Sequence, residues 1–107
     1  MIVTMKTIEN QKTCGITKAL EVIGAKWTLL LIRDLLEGPR RFGELEGSLE
    51  GISPRTLAIR LKELEHDGVV RRDCSAGEAH PMYSLTPKGR SLSSILDQMR
   101  AWGMAAV

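Results

Sequence analysis

Few cysteines and no long apolar runs limit the classes to which this chain can belong. Its 107 residues include only Cys14 and Cys74, too few for a secreted disulfide scaffold and too far apart for a zinc-knuckle pair. No stretch approaches the roughly 20 apolar residues of a membrane-crossing helix, and the N-terminal segment has no run of signal-peptide length. We therefore expect one cytoplasmic domain over residues 1–107, with no membrane partner and both thiols reduced at rest.

Net charge is also nearly absent. Fifteen Lys and Arg residues are balanced by 13 Asp and Glu, which leaves a formal charge of +2 and only weak support for nucleic-acid binding. The hydrophobic content of 43% is ordinary for a globular protein and argues against disorder. There is no Gly-rich phosphate loop, paired carboxylate site or Ser, His and Asp set, so we predict no catalytic residues, no cofactor and no enzyme.

Apolar spacing predicts three helices in the first half of the chain. The first is expected to end near Gly24, and its apolar residues recur three and four positions apart: Ile16, Ala19, Leu20 and Ile23. A second, widely apolar helix runs from about Lys26 to Glu37 and is stopped by Gly38 and Pro39. A short third helix of about two turns follows and breaks before residue 51.

The fourth predicted helix has the clearest boundaries. Ser53 can cap free amides, Pro54 suits the first helical position, and Gly68 supplies a left-handed C-terminal stop. One face carries three leucines that would pack on the core: Leu57, Leu61 and Leu64. The opposite face is left for a partner and holds Arg55, Thr56, Ile59, Lys62 and Glu63.

The remaining residues predict a wing and a final helix. Extended segments at residues 69–74 and 82–85 flank the turn-forming residues Ser75, Gly77 and Pro81 and indicate a β-hairpin. Thr86 and Pro87 repeat the cap-and-proline signal and open the last helix. The predicted fold is therefore mainly α with a small β-hairpin, a winged helix-turn-helix in the order helix, helix, helix, helix, hairpin, helix.

This fold places the N-terminal part of the fourth helix against base edges in the DNA major groove. The candidate base-reading residues are Ser53, Arg55, Thr56 and Ile59. An isoleucine amid polar side chains is hard to explain by solubility, although single exposed apolar residues are common. The candidate phosphate-contacting residues are Lys26, Arg40, Arg41, Arg60, Lys62, Arg71 and Arg72. Nearby glutamates leave open the alternative that some of these are surface ion pairs.

Several motifs together resemble a known family. They are Lys26-Trp27-Thr28, Gly38-Pro39-Arg40-Arg41-Phe42, Ile52-Ser53, Arg60-Leu61-Lys62-Glu63-Leu64-Glu65, Tyr83-Ser84-Leu85-Thr86 and Lys88-Gly89-Arg90. Over nearly its whole length the chain resembles the HxlR-type winged helix-turn-helix regulators. The resemblance implies a cytoplasmic homodimer that reads a palindromic operator in double-stranded DNA. One departure is Ile59, where family members often carry a polar side chain such as glutamine, so the operator sequence cannot be taken from relatives.

The resemblance further implies that the first and last helices pack against those of a second copy. The candidate dimer-interface residues are Ile16, Leu20, Leu92, Ile95, Leu96, Met99 and Trp102. The stripe on the last helix offers more apolar surface than one small core easily covers, which independently favours self-association. A role in the core alone remains the alternative for that stripe.

Cys14 precedes the first helix at a position where family members often carry a cysteine that, in some, senses oxidants or electrophiles. A helix N-terminus, with Lys12 and Lys18 nearby in sequence, favours the reactive thiolate. If the first helices lie at the dimer interface, modification of Cys14 would change the spacing of the recognition helices and hence the DNA affinity. The alternative is that Cys14 is a small, partly buried apolar residue.

Other roles have weaker support. Cys74, His66 and His80 lack compact ligand spacing, so we predict no metal site. Cys74 ends a wing strand, where a thiol is more often filler, and pairing with Cys14 across subunits is open but unsupported. A winged helix that makes only protein contacts is the remaining rival, and it predicts no binding to duplex DNA even at low salt.

Overall fold

The computed structural model describes residues 14–74 and 80–106, which form six helices and three short strands. In chain order these are α1 (Gly15–Ile23), α2 (Thr28–Leu36), β1 (Arg40–Arg41), α3 (Phe42–Ser48), α4 (Pro54–His66), β2 (Val70–Asp73), β3 (Met82–Leu85), α5 (Pro87–Arg90) and α6 (Ser93–Ala106). The mainly α winged helix-turn-helix is confirmed. Within these ranges no helix is long and apolar enough to span a bilayer. Lys12 and the predicted turn residues Ser75 and Gly77 lie outside the described residues.

The wing is a three-stranded antiparallel sheet, where the sequence predicted a plain hairpin. β3 lies in the middle, with β1 on one side and β2 on the other. Tyr83 of β3 is the register partner of both Arg40 of β1 and Arg72 of β2. β1 was not predicted because two arginines between a helix stop and a helix start carry no strand periodicity. Its pairing ties the chain before α3 to the wing.

The core lies where α2, α3, α4 and the wing meet. It contains Ile23, Leu31, Ile32, Leu35, Leu45, Leu49, Ile52, Leu57, Leu61, Leu64, Val69, Val70, Tyr83, Leu85 and Leu96. The three leucines predicted for the inner face of α4 are each at most 2% exposed. A buried carboxylate on α2, Asp34, accepts a 2.6 Å hydrogen bond from the Ser48 hydroxyl and so links α2 to α3. One face of α4 is therefore fixed to a densely packed interior.

Both predicted boundaries of α4 are confirmed. The Ser53 hydroxyl oxygen accepts the amide N–H three residues later at 3.1 Å, and Pro54 occupies the first turn. At the other end Gly68 has φ of 75°, and the Val69 amide donates to the Leu64 carbonyl at 2.9 Å. This is a Schellman arrangement, which satisfies carbonyls that the end of a helix would otherwise leave unpaired.

Two helix predictions need correction. α2 begins at Thr28, two residues later than predicted, because Trp27 has a left-handed φ of 81° that a right-handed helix cannot include. The single final helix predicted from Thr86 onward is wrong, since the chain forms the one-turn α5 and then α6. The Ser91 hydroxyl donates to the Lys88 carbonyl at 2.5 Å where α5 ends, a local bond that competes with continued helix.

α5 is fastened to the C-terminal end of α4. The Thr86 hydroxyl donates to the Gly68 carbonyl at 2.5 Å, and Lys88 Nζ donates to the Asp67 carbonyl at 2.8 Å. The Thr86 hydroxyl oxygen also accepts the Gly89 amide at 3.1 Å, which caps α5. A single helical turn therefore connects the end of α4 to the start of α6.

We expect Gly89→Ala to lower the free energy of unfolding by about 1–3 kcal/mol, the usual range for overpacking. A Cβ at this position would collide with the carbonyl oxygen of Val69 and lie 2.9 Å from a methyl group of Leu85. The Val69 oxygen belongs to the backbone and cannot move aside as a flexible side chain could. Urea denaturation followed by circular dichroism measures the effect.

Gly47→Ala is the matched control for this prediction. Gly47 lies in α3, where an added Cβ would meet nothing within 4 Å. We expect this change to be neutral or to stabilise by up to about 1 kcal/mol, because alanine has the higher helix propensity. Equal stability of the two variants would show that α5 does not pack closely under Val69.

Candidate nucleic-acid interface

The outer face of α4 is open along its length. Arg55 in the first turn and Lys62 two turns later are exposed, and Ile59 between them is 42% exposed. Ser53 and Thr56 instead bond to each other, since the Ser53 hydroxyl donates to Thr56 Oγ1 at 3.0 Å and accepts the Thr56 amide. The four predicted base-reading residues thus lie together in the first half of α4, with Arg55 and Ile59 on its open face and the other two forming the cap.

Both arginines of β1 bond within the protein. Arg40 donates to the preceding carbonyl at 3.0 Å and lies 3.5 Å from the Glu37 carboxylate. Arg41 donates to the His80 carbonyl at 2.7 Å, across the strands of the wing. The bond from Arg41 has no signal in the sequence, because Arg41 and His80 are 39 residues apart. These contacts fix the two guanidinium groups at the base of the wing.

Arg60 fastens α4 to the connection between α1 and α2. Its Nε donates to the Lys26 carbonyl at 3.0 Å, and its Nη1 lies 3.2 Å from the Glu63 carboxylate. The Lys26 ammonium lies 5.6 Å from the centroid of the Trp27 ring, within range of a cation–π contact. Lys26 and Arg60 are therefore close together beside the N-terminal half of α4.

A cleft of about 470 Å³ separates α4 from the wing. Lys62 of α4 lines one side of it, and Arg72 and Tyr83 of the wing line the other. A hydrogen bond to the Tyr83 side chain raises the pKa of the Arg72 guanidinium above its ordinary value. Arginine is charged at neutral pH in any case, so the bond serves to orient the group. Arg71, the neighbouring strand residue, is exposed. Lys62 and Arg72 thus place positive charge on both sides of a cleft beside the open face of α4, and one carboxylate, that of Glu65, also lines it.

Tyr83 is a site residue that sequence reasoning missed. It is nearly buried, lies opposite Arg72 in the sheet and contacts the cleft. The two-residue period of a strand was a usable signal, because it places Tyr83 on the same side of β3 as Leu85, and the structure buries both side chains. The pairing with Arg72 could not be read from the sequence, since it depends on strand register.

A separate apolar surface lies on α1, α2 and α6. Five of the predicted dimer-interface residues are exposed, from 43% to 74% of their surface: Ile16, Leu20, Ile95, Met99 and Trp102. The other two pack within the protein, because Leu96 is a core residue and Leu92 is half-buried against the core. Leu30 of α2, which the sequence did not single out, is exposed and lines a groove with Met99.

Cys14 and Cys74 are both free thiols. Cys14 is half-buried at the N-cap position of α1, and its carbonyl accepts the Lys18 amide at 3.0 Å. Cys74 is exposed directly after β2. In the described part of the chain, no three His, Cys, Asp or Glu side chains lie close enough to hold a metal ion, and His66 and His80 are both exposed.

Comparison with known proteins points to one family. The sequence model of the HxlR-like helix-turn-helix family matches residues 22–107. The chain is 42% identical over 86 residues to YvaP, an uncharacterized HTH-type transcriptional regulator of Bacillus subtilis (strain 168), which covers 79% of this chain and 80% of YvaP.

Solved structures of two regulators share the fold. The redox regulator HypR in its reduced form is 36% identical with a TM-score of 0.81, covering 86% of this chain and 92% of HypR. The quinone-bound form of YodB from B. subtilis is 36% identical with a TM-score of 0.74, covering 84% of this chain and 96% of YodB.

Proposed function

Because this chain belongs to the HxlR-like helix-turn-helix family of transcriptional regulators, we propose that it binds a palindromic operator in double-stranded DNA as a cytoplasmic homodimer. The observation that carries the proposal is the two-sided α4, whose leucines are buried while its opposite face is open. Arg55 and Ile59 lie in the first half of that face. In helix-turn-helix proteins the N-terminal residues of the recognition helix contact the base edges. Arg55 suits guanine O6 and N7, and Ile59 suits a thymine methyl group.

The basic residues around α4 supply the contacts to phosphate. Lys62 and Arg72 face the cleft beside the wing, and Arg71 is exposed next to it. The guanidinium groups of Arg40, Arg41 and Arg60 are held by internal hydrogen bonds, which limits the entropy lost when a phosphate binds. The Lys26 ammonium lies over the Trp27 ring beside them. Such contacts set the register of the protein on DNA, while base contacts set its specificity.

The open apolar surface supports the homodimer. Trp102 is 74% exposed, and Met99 and Ile95 lie on the same helix with large exposed fractions. Clusters of exposed apolar side chains on a small protein commonly mark an interface with another chain. A two-fold axis between two copies would present two α4 helices to two half-sites, which is why a palindromic operator follows from a homodimer.

The test is DNA binding measured by fluorescence anisotropy at low and rising salt. We expect random duplex DNA to bind at low salt and the affinity to fall steeply as salt increases, because bound phosphates release counterions. DNA selected from a random pool should show an inverted repeat, and sedimentation should give twice the chain mass. Failure to bind any duplex at low salt would overturn the proposal and favour a winged helix that contacts only protein.

A second candidate function is a response to oxidants or electrophiles through Cys14. The thiol lies at the N-terminus of α1, the helix that carries the exposed dimer candidates Ile16 and Leu20. Among the similar structures, YodB is quinone-bound and HypR is a redox regulator solved in reduced and oxidised forms. A group added to Cys14 would displace α1 and change the spacing between the two copies of α4.

We expect Cys14→Ser to keep DNA affinity under reducing conditions and to abolish its loss after treatment with benzoquinone. The wild-type thiolate would add to a ring carbon of the quinone and form a carbon–sulfur bond, while the electrons of the ring double bond shift to a carbonyl oxygen that takes a proton from water. Loss of the proton at the attacked carbon then gives a hydroquinone thioether, so the quinone itself is the two-electron oxidant. Serine is too weak a nucleophile at neutral pH for this reaction. Anisotropy measures the DNA affinity, and mass spectrometry locates the adduct.

Cys74→Ser is the matched control, because Cys74 is the more exposed thiol but lies on the wing rather than on α1. We expect this variant to respond to benzoquinone as the wild type does. A Cys14→Ser protein that still loses DNA affinity would show that Cys14 is not the switch.

A further inference from the structure

α1 and α4 border a groove of about 580 Å³ to which the DNA-binding proposal assigns no function. Leu20, Val22 and Ala25 line the side formed by α1 and the residues after it, and Ile59 lines the α4 side. Its size falls within the range of about 300–1,000 Å³ found for small-molecule sites, which are mostly apolar. Ile59, the residue that departs from the polar pattern of α4, is thus part of an apolar wall.

The rim of this groove carries an excess of negative charge. Three carboxylates line it, those of Glu21, Glu63 and Asp67, against the single ammonium of Lys62. Glu63 is paired with Arg60 at 3.2 Å. His66 also lines the groove, and the Lys88 ammonium lies 2.8 Å from the backbone carbonyl oxygen of Asp67. In the described part of the chain no ion pair reaches the carboxylate of Glu21 or of Asp67, so both are able to pair with a cationic ligand.

We propose that this groove binds a small organic cation with an apolar body, and that its binding opposes DNA binding. The apolar part would contact Val22, Ala25 and Ile59, and the charge would lie near Glu21 and Asp67. Ile59 and Lys62 belong both to the groove and to the open face of α4. A ligand over Ile59 therefore competes with DNA for the same side chain, and linkage requires that DNA weakens ligand binding by the same factor. This coupling rests on the proposed function, whereas ligand binding itself does not.

The direct test is calorimetric titration of the full chain, without DNA, with tetraphenylphosphonium. Tetraphenylborate is the matched control, because it has the same four phenyl groups and the opposite charge. We expect saturable binding of one cation per chain and much weaker binding of the anion. Equal affinity for the two ions, or no binding of the cation, would overturn the proposal. Cation binding that appears only on dilution to monomer would also overturn it and assign the groove to a second copy of the chain.

Variants of the rim locate the site. We expect Glu21→Gln combined with Asp67→Asn to weaken cation binding about five-fold for each charge removed, since a pair of charges 4 Å apart in water interacts by about 1 kcal/mol. Glu65→Gln is the control, because Glu65 is also on α4 but lines the wing cleft instead. A Glu65→Gln protein that loses as much affinity as the double variant would place the cation elsewhere.

Competition with DNA tests the coupling separately. In anisotropy titrations at fixed salt, excess tetraphenylphosphonium should raise the dissociation constant for DNA of the wild type and have less effect on the double variant. Calorimetric binding without any change in DNA affinity would overturn the coupling while leaving the site intact. Loss of the proposed DNA binding itself would be seen without any cation present, so the two failures are distinguishable.

Discussion

Replacing Leu57 with alanine is expected to lower the free energy of unfolding by about 2–5 kcal/mol. Leu57 is completely buried on the inner face of α4. Its truncation removes apolar contacts and leaves a cavity, and the surrounding helices can only partly close it. Because small domains are stable by only about 5–15 kcal/mol, the loss is a large fraction of the total. Urea denaturation measures it through the shift in midpoint.

Ile59→Ala is the matched control for Leu57, since both are aliphatic residues on the same helix. Ile59 lies on the opposite face and keeps 42% of its surface exposed. We expect its truncation to cost less than about 1 kcal/mol, because only part of its area leaves water on folding. If both variants lose the same free energy, the division of α4 into a packed face and an open face is wrong.

Arg55→Ala is expected to weaken operator binding by about 1–3 kcal/mol and to relax the preference for one base pair. Arg55 is exposed in the first turn of α4, so its removal should leave folding stability nearly unchanged. The predicted loss comes from the bidentate bonds that a guanidinium makes to guanine. Anisotropy with the selected operator, and with operators changed one base pair at a time, measures both effects.

Arg71→Ala provides the comparison for Arg55. Arg71 is an exposed arginine on β2, where a phosphate contact would carry no base information. We expect its removal to weaken operator and random DNA equally and to reduce the salt slope by about one. An Arg55→Ala protein that loses equal affinity for both DNAs would remove Arg55 from base reading.

The ends of α4 were predictable because their signals are local. Ser53 caps the first turn of α4, and Pro54 is the first residue of that turn. Gly68 directly follows the C-cap residue, Asp67, at the other end. The inner leucines follow from helical periodicity alone. For the same reason the bounds of α4, the candidate recognition helix, follow from the sequence without any tertiary contact.

The features that were missed depend on contacts between distant residues. Gly89 of α5 packs closely against the backbone of Val69, which no local pattern reveals. Arg60 looks like a surface arginine in sequence, yet it bonds the carbonyl of Lys26, 34 residues away. On α6 the helical periodicity predicts the apolar stripe. It does not distinguish Leu96, which is buried in the core, from Trp102, which is exposed.

The bonds from Thr86 and Lys88 to the last carbonyls after α4 have a consequence for the proposed dimer. They tie the one-turn α5, from which α6 continues, directly to the C-terminal end of α4. If α6 pairs with its counterpart across the two-fold axis, the bonds between α5 and the end of α4 would set the separation of the two α4 helices, and no flexible loop would intervene. The dimer would then bind only half-sites separated by one fixed distance. A displacement of α6 at the pairing surface would change that distance and hence the DNA affinity.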